Sequence, residues 1–203
     1  MSSNAKEPKV GRPSNKDERS EQIMQAFVRC VVRFGIEGAT LSRVAEEAGL
    51  SRPLIRHHLG NRDEMIAQLQ CFVISRFTEN NNALMAVLKG QDDPRAVVDI
   101  LFAEDSHSDH AMTLTFAALT ARARDDEALK EGCRNIILRM ETEIATFLTP
   151  HLSSPDTAQD CAHGIIAIYF NVTAFEALDM PQSWADRAKN LALTLLTTFG
   201  ARS

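Results

Sequence analysis

Apolar residues recur at helical spacing along almost the whole chain, and no stretch alternates in the manner of a strand. The first strong pattern is Ile23, Ala26, Phe27, Cys30, Val31 and Phe34, a single stripe that predicts an amphipathic helix ended by Gly35. Leu41, Val44, Ala45 and Ala48 repeat the same spacing over two turns. A third short pattern carries Ile55 and Leu59. Further helices are expected over 63–88, 93–104, 110–124, 126–149, 156–179 and 183–200. Asp93-Pro94, Pro150, Pro155 and Pro181 fall at their boundaries, where proline does least harm. The expected fold class is all-α: a three-helix unit followed by a helical bundle.

The segment from Thr40 to Met65 holds the most information. Its first two short helices are separated by Ala48-Gly49-Leu50-Ser51, and another helix starts at Asn61. Two helices joined by a short glycine turn form a helix-turn-helix, which places its second helix in the major groove of DNA. Thr40 is expected to cap the first helix and Ser51 the second, with Pro53 in the second helix's first turn. Asn61, followed by Asp63 and Glu64, is expected to cap the third. At about 100° per residue, Ile55 and Leu59 share the inner side of the second helix. Pro53, Leu54, Arg56 and His57 then point away from the core, with Arg52 at the flank and His58 leaning back. Arginine suits guanine edges and phosphate oxygens, and Leu54 suits a thymine methyl. The plainer reading of the same residues is a solvated basic face on an ordinary helical hairpin.

Charge distribution favours DNA. The chain carries a net charge of −5. Residues 1–62 nevertheless hold 11 Lys/Arg against 7 Asp/Glu, a net of +4, while 63–203 hold 11 against 20, a net of −9. A basic end on an acidic protein is the footprint of a domain that faces phosphate. Within the polar residues 1–20, which read as neither signal peptide nor anchor, Gly11-Arg12-Pro13 suits an extended arm whose Arg12 enters a minor groove. A plain unstructured tail is the alternative.

These residues resemble the tetracycline-repressor (TetR) family of bacterial regulators over about residues 17–70. The resemblance rests on Gly35, Thr40, Val44-Ala45, Ala48-Gly49-Leu50-Ser51, Ile55, His57-His58-Leu59 and Asn61-Arg62-Asp63-Glu64-Met65. Arg56 stands where the family pattern has a tyrosine, and Arg62 where it has a lysine. The resemblance implies an all-helical homodimer that binds a double-stranded DNA operator and is released by a small effector, with no cofactor. It also implies a division into a basic arm (1–16), a DNA-binding domain (17–62, with the helix-turn-helix at about 40–59 and the domain reaching about 77) and an effector-binding and dimerisation domain (63–203). The candidate DNA contacts are Arg12, Thr40, Arg43, Ser51, Arg52 and Pro53, together with Leu54, Arg56, His57 and Arg62.

The helix expected at 156–179 is apolar nearly all round from Cys161, yet its longest uninterrupted run, Ile165–Phe170, is too short to span a bilayer. Such a helix must be covered on every side, and a second copy is a natural cover. The candidate interface is Ile165, Ile168 and Val172 with Trp184, Leu191, Leu195 and Phe199; burial within its own domain is the alternative. Candidate effector-pocket residues are Phe72, Phe102, Met112, Phe116, Met140, Tyr169, Asn171 and Phe175, although aromatics at this spacing more often form core. Asp105–His110 has metal-ligand residue types in a spacing that lets few converge, so no metal site is expected. Cys30, Cys71, Cys133 and Cys161 form no CxxC pair and read as reduced core thiols of a cytoplasmic protein. No catalytic set is recognisable. Two other classes stay open: a ligand-independent architectural DNA binder, and a helical interaction protein or small enzyme.

Overall fold

Helical periodicity becomes nine α-helices among the described residues, with no strand among them; the computed structural model describes residues 15–103, 110–175 and 178–200. The helices are α1 (Asn15–Gly38), α2 (Leu41–Ala48), α3 (Arg52–Leu59), α4 (Arg62–Leu88), α5 (Ala96–Leu101), α6 (His110–Arg122), α7 (Glu127–Leu148), α8 (Pro155–Phe175) and α9 (Gln182–Gly200). Short 3-10 turns at Ala123–Asp125 and Thr149–His151 flank α7.

The α1 stripe is buried from Ile23 through Val31, but Phe34 is 39 % exposed. Its ring carries the Arg43 guanidinium at 4.3 Å instead of entering the core, which Ile36 joins two residues later. Gly35 ends the regular part of α1, as expected. Its φ of 69° and ψ of 169° are not helical, and a separate short turn then runs on to Gly38. The helix expected over 93–104 shortens to Ala96–Leu101. Before it, Asp93 accepts from the Arg95 amide at 2.9 Å and pairs with its guanidinium at 2.7 Å, a turn that competes with helix. That pairing holds the Asp93 carboxyl down at about 2.

Two apolar cores follow. The first joins α1, α2, α3 and the first part of α4 with α6 and the start of α7, through Phe27, Ile55, Leu59, Leu69, Met112, Phe116 and Leu129. The second joins the end of α4 and α5 with α7, α8 and α9, through Leu88, Val98, Ile144, Ile165 and Leu196. The first core therefore crosses residue 62, where the sequence places a boundary between domains. Cys30, Cys133 and Cys161 are buried, and burial pushes all three thiols up, Cys161 to about 11. Cys71 departs from the core reading: it is exposed on α4.

Because Ile55 is wholly buried, Ile55→Ala is expected to destabilise the fold by about 2–5 kcal/mol. Urea unfolding should show a lower midpoint with an unchanged slope.

Candidate nucleic-acid interface

The frame around α3 is set by local chemistry. Thr40 caps α2, its hydroxyl accepting from the Arg43 amide at 3.4 Å. Gly49 closes α2 in the left-handed conformation (φ 65°, ψ 32°), which glycine adopts without steric cost. Ser51 has the backbone of an N-cap, yet its side chain makes no capping bond, so the expected cap is backbone only. Asn61 and Glu64 form a reciprocal capping box at the start of α4. From α4, Gln68 donates to the carbonyls of His58 and Leu59 at 3.2 Å, satisfying the open end of α3.

Helix α2 is clamped to α1 as well. Arg29 and Arg33 both reach Glu47, at 2.6 and 3.3 Å, and Gln22 donates to the Ala48 carbonyl at 2.9 Å. The Arg29 hydrogen bond, helped by both positive charges, lowers the Glu47 pKa. Single pairs this exposed contribute little stability, but they fix the tilt of α2 under α3. Sequence reading missed this clamp because its residues meet only when α2 folds back on α1.

On this frame Ile55 and Leu59 are buried, while Ser51, Arg52, Pro53, Arg56 and His57 are exposed and Leu54 is half-exposed. His58 is half-buried, its ring edge-on to His57 at 5.8 Å. Among the described residues neither Arg52 nor Arg56 has an ion-pair partner. Their guanidinium groups are open to a ligand.

Two expected DNA contacts are already engaged. Arg43 donates to the Gly38 carbonyl at 2.7 Å and lies over the Phe34 ring. Arg62 donates to Ala39 O at 2.8 Å and to Ile36 O, and it stands 3.6 Å from Glu37. Arg62 thus turns inward, onto carbonyls at and just past the end of α1. Glu37 also pairs with Arg122 at the end of α6. Arg12 lies outside the described residues, as do residues 105–109 of the polar loop.

The other expected sites are only partly assembled. Ile165 is completely buried within its own chain and Val172 nearly so, because α8 packs one side on α7 and α9. Neither is available to a second copy. Trp184 and Leu191 are exposed, while Ile168, Leu195 and Phe199 are half-buried. Asn171 is exposed on the outer side of α8, so its amide needs no internal partner. Phe175 is 40 % exposed and packs edge-on to Trp184 at 6.4 Å. Neither lines the interior. Phe72, Met112 and Phe116 belong to the first core, and Phe102, Met140 and Tyr169 to the second. Of the eight, Phe102 lines a cleft of about 390 Å³ between α5, α8 and α9, beside Trp184, Asp186 and Lys189.

Comparison with known proteins agrees with this geometry. Residues 23–69 match the model for bacterial regulatory proteins of the tetR family. The transcriptional regulator BetI of Vibrio atlanticus is 24 % identical over 185 residues, covering 90 % of each chain. The repressor AcnR of Corynebacterium efficiens is 34 % identical over 77 residues, 36 % of this chain and 41 % of AcnR. The FadR regulator of Bacillus subtilis, solved with stearoyl-CoA, shares the fold at a TM-score of 0.66 and 14 % identity, over 90 % of this chain and 99 % of FadR. Over residues 23–69 the chain is thus similar to the tetR family of bacterial regulatory proteins. It is a DNA-binding transcriptional regulator, not an enzyme.

Arg62→Ala is expected to cost about 1.5–3 kcal/mol of stability without DNA present, because charge-assisted bonds to helix-end carbonyls are lost. Arg62→Lys should restore little, since one nitrogen must replace the two separate guanidinium nitrogens that reach Ala39 O and Ile36 O. Thermal unfolding of both variants checks this.

Proposed function

We propose that the protein is a cytoplasmic repressor that binds an operator as a homodimer and is released by a small effector. The observation that carries the DNA-binding part is the buried Ile55–Leu59 edge of α3, which aims Arg52, Pro53, Leu54, Arg56 and His57 outward together. Arg52 and Arg56 take phosphate oxygens or guanine edges, and Leu54 a thymine methyl. Ser51, with no cap to make, offers its hydroxyl to phosphate. Thr40, at the N-terminus of α2, stands where a backbone phosphate is favoured. Arg12 extends the footprint into the minor groove, while Arg43 and Arg62 support from behind. Residues 17–62, continued into α4 to about 77, form the DNA-binding unit; the rest receives the effector and the second subunit.

The outer side of α8 and α9 supports the dimer. Ala167, Asn171, Ala174 and Phe175 are exposed on α8, and Trp184 and Leu191 on α9. Small residues on α8 let a second pair of helices approach closely about a two-fold axis. The dimer would set two copies of α3 about one DNA turn, or a multiple of it, apart. Release requires a path from effector to α3. Helix α6 packs on α1 and buries Met112, Phe116 and Leu119 in the same core as Phe27 and Ile55. An effector that favours another position of α6 therefore shifts both recognition helices. FadR's complex with stearoyl-CoA supports an interior able to hold a ligand in this fold.

Arg56→Ala is expected to weaken operator binding by about 1–3 kcal/mol. Gel-shift titration across a range of salt should also show a slope reduced by about one if Arg56 holds a phosphate. Leu191→Glu should shift sedimentation toward the monomer and weaken operator binding with it. A variant that stays dimeric would exclude this face.

A further inference from the structure

Within the regulatory half one polar group is unlike the rest. Thr115 and Thr173 are buried, but each returns its hydroxyl to a carbonyl of its own helix, at 2.7 Å for Thr115 and 3.1 Å for Thr173. Asn81, on α4, is 8 % exposed and has no such local partner for its oxygen. Its Nδ2 donates to the Glu143 carboxylate on α7. An ionised carboxylate only accepts, so this contact fixes which way the amide faces. The Oδ1 atom is consequently turned from Glu143, and among the described residues it accepts no hydrogen bond. A buried carbonyl left this way calls for a donor.

Its surroundings narrow the kind of donor. Phe77 lies one turn before Asn81 on the same side of α4. The Phe77 ring is 4.7 Å from Phe116 of α6, and Phe116 stacks on Phe170 of α8 at 6.1 Å. Asn81 also sits at the seam between the cores: Val73 below it belongs to the first, and Leu84 above it to the second. Glu143 is paired with Arg139 at 2.9 Å, so the neighbourhood offers no unpaired charge to an ion. An anion would meet the Oδ1 lone pairs and the Glu143 carboxylate together, an unfavourable approach.

We infer that Asn81 Oδ1 is the acceptor in the effector site, and that the effector is a compact, uncharged aromatic molecule carrying an O–H or N–H, of the phenol or indole class. This rests on the reading of the chain as an effector-released regulator. Sequence periodicity did not single out Asn81, because Asn80, Asn81 and Asn82 are consecutive and only packing shows which one is inside. A ligand bonded here would lie between α4 and α7, one turn of α4 from the Phe77–Phe116 contact that ties α4 to α6. All three helices contribute to the core of the DNA-binding unit.

The test uses the full chain with 2-naphthol and indole, each beside its capped counterpart, 2-methoxynaphthalene and 1-methylindole. Calorimetry should show each donor form binding about tenfold or more tightly than its capped form. The same order should hold for release of operator DNA in gel shifts. Asn81→Leu, close in volume, is expected to bring donor and capped forms within about twofold while its circular dichroism stays helical. Should that variant fail to fold, Glu143→Gln, which frees the amide to turn, should narrow the difference instead. Equal binding of donor and capped forms, no binding of any of the four, or a preference that survives in the folded Asn81→Leu protein would overturn the assignment. Operator binding without ligand is measured alongside. A protein that binds operator but does not discriminate sinks this inference alone, whereas one that ignores operator sinks the regulator reading beneath it.

Discussion

The burial of Ile55 and Leu59 is the constraint from which the rest of the DNA-facing end follows. Helix α3 is only eight residues long, too short to hold its shape in water. It exists because two side chains enter the first core and because Gln68 satisfies its last carbonyls. Once those side chains are inside, helical geometry leaves the arginines no direction but outward. The specificity of the surface is thus inherited from the core beneath it.

That core is shared. Residues of α6 and α7 complete it, so the DNA-binding end has no independent interior that could ignore the rest of the chain. The surface repeats the connection, with Glu37 between Arg122 at the end of α6 and Arg62 at the start of α4. Exposed pairs of this kind add little stability. The packed contact between α1 and α6 is the stronger link, because a dense interior transmits displacement where a solvated ion pair yields. The aromatic series Phe77, Phe116, Phe170, Tyr169 and Phe102 runs from this core into the second, with Phe170 packed against both. A regulator that must couple an interior ligand to an exterior helix needs such continuity.

The polar residues divide by what they hold. Arg29, Arg33, Arg43 and Arg62 are occupied by carboxylates, carbonyls or a ring, and they stiffen the scaffold. Arg52 and Arg56 are not. In sequence all six look like the same basic patch.

The helices, the caps at Thr40, Gly49 and Asn61 and the helix-turn-helix were legible in the chain itself, since they depend on residues within a few positions of one another. Thr40, Gly49, Asn61 and the Ile55–Leu59 edge act through local hydrogen bonds, backbone freedom and a 3.6-residue period. Tertiary structure decided the remainder. Phe34 proved to be a platform for a guanidinium, Arg62 a clamp, Ile165 interior to one chain, Asn171 outward and Asn81 inward. Each outcome depends on a partner distant in sequence, and one-dimensional periodicity cannot say which neighbour will fill the space on a given face. Local order is written in near neighbours, whereas the use made of each side chain is settled by what packs against it.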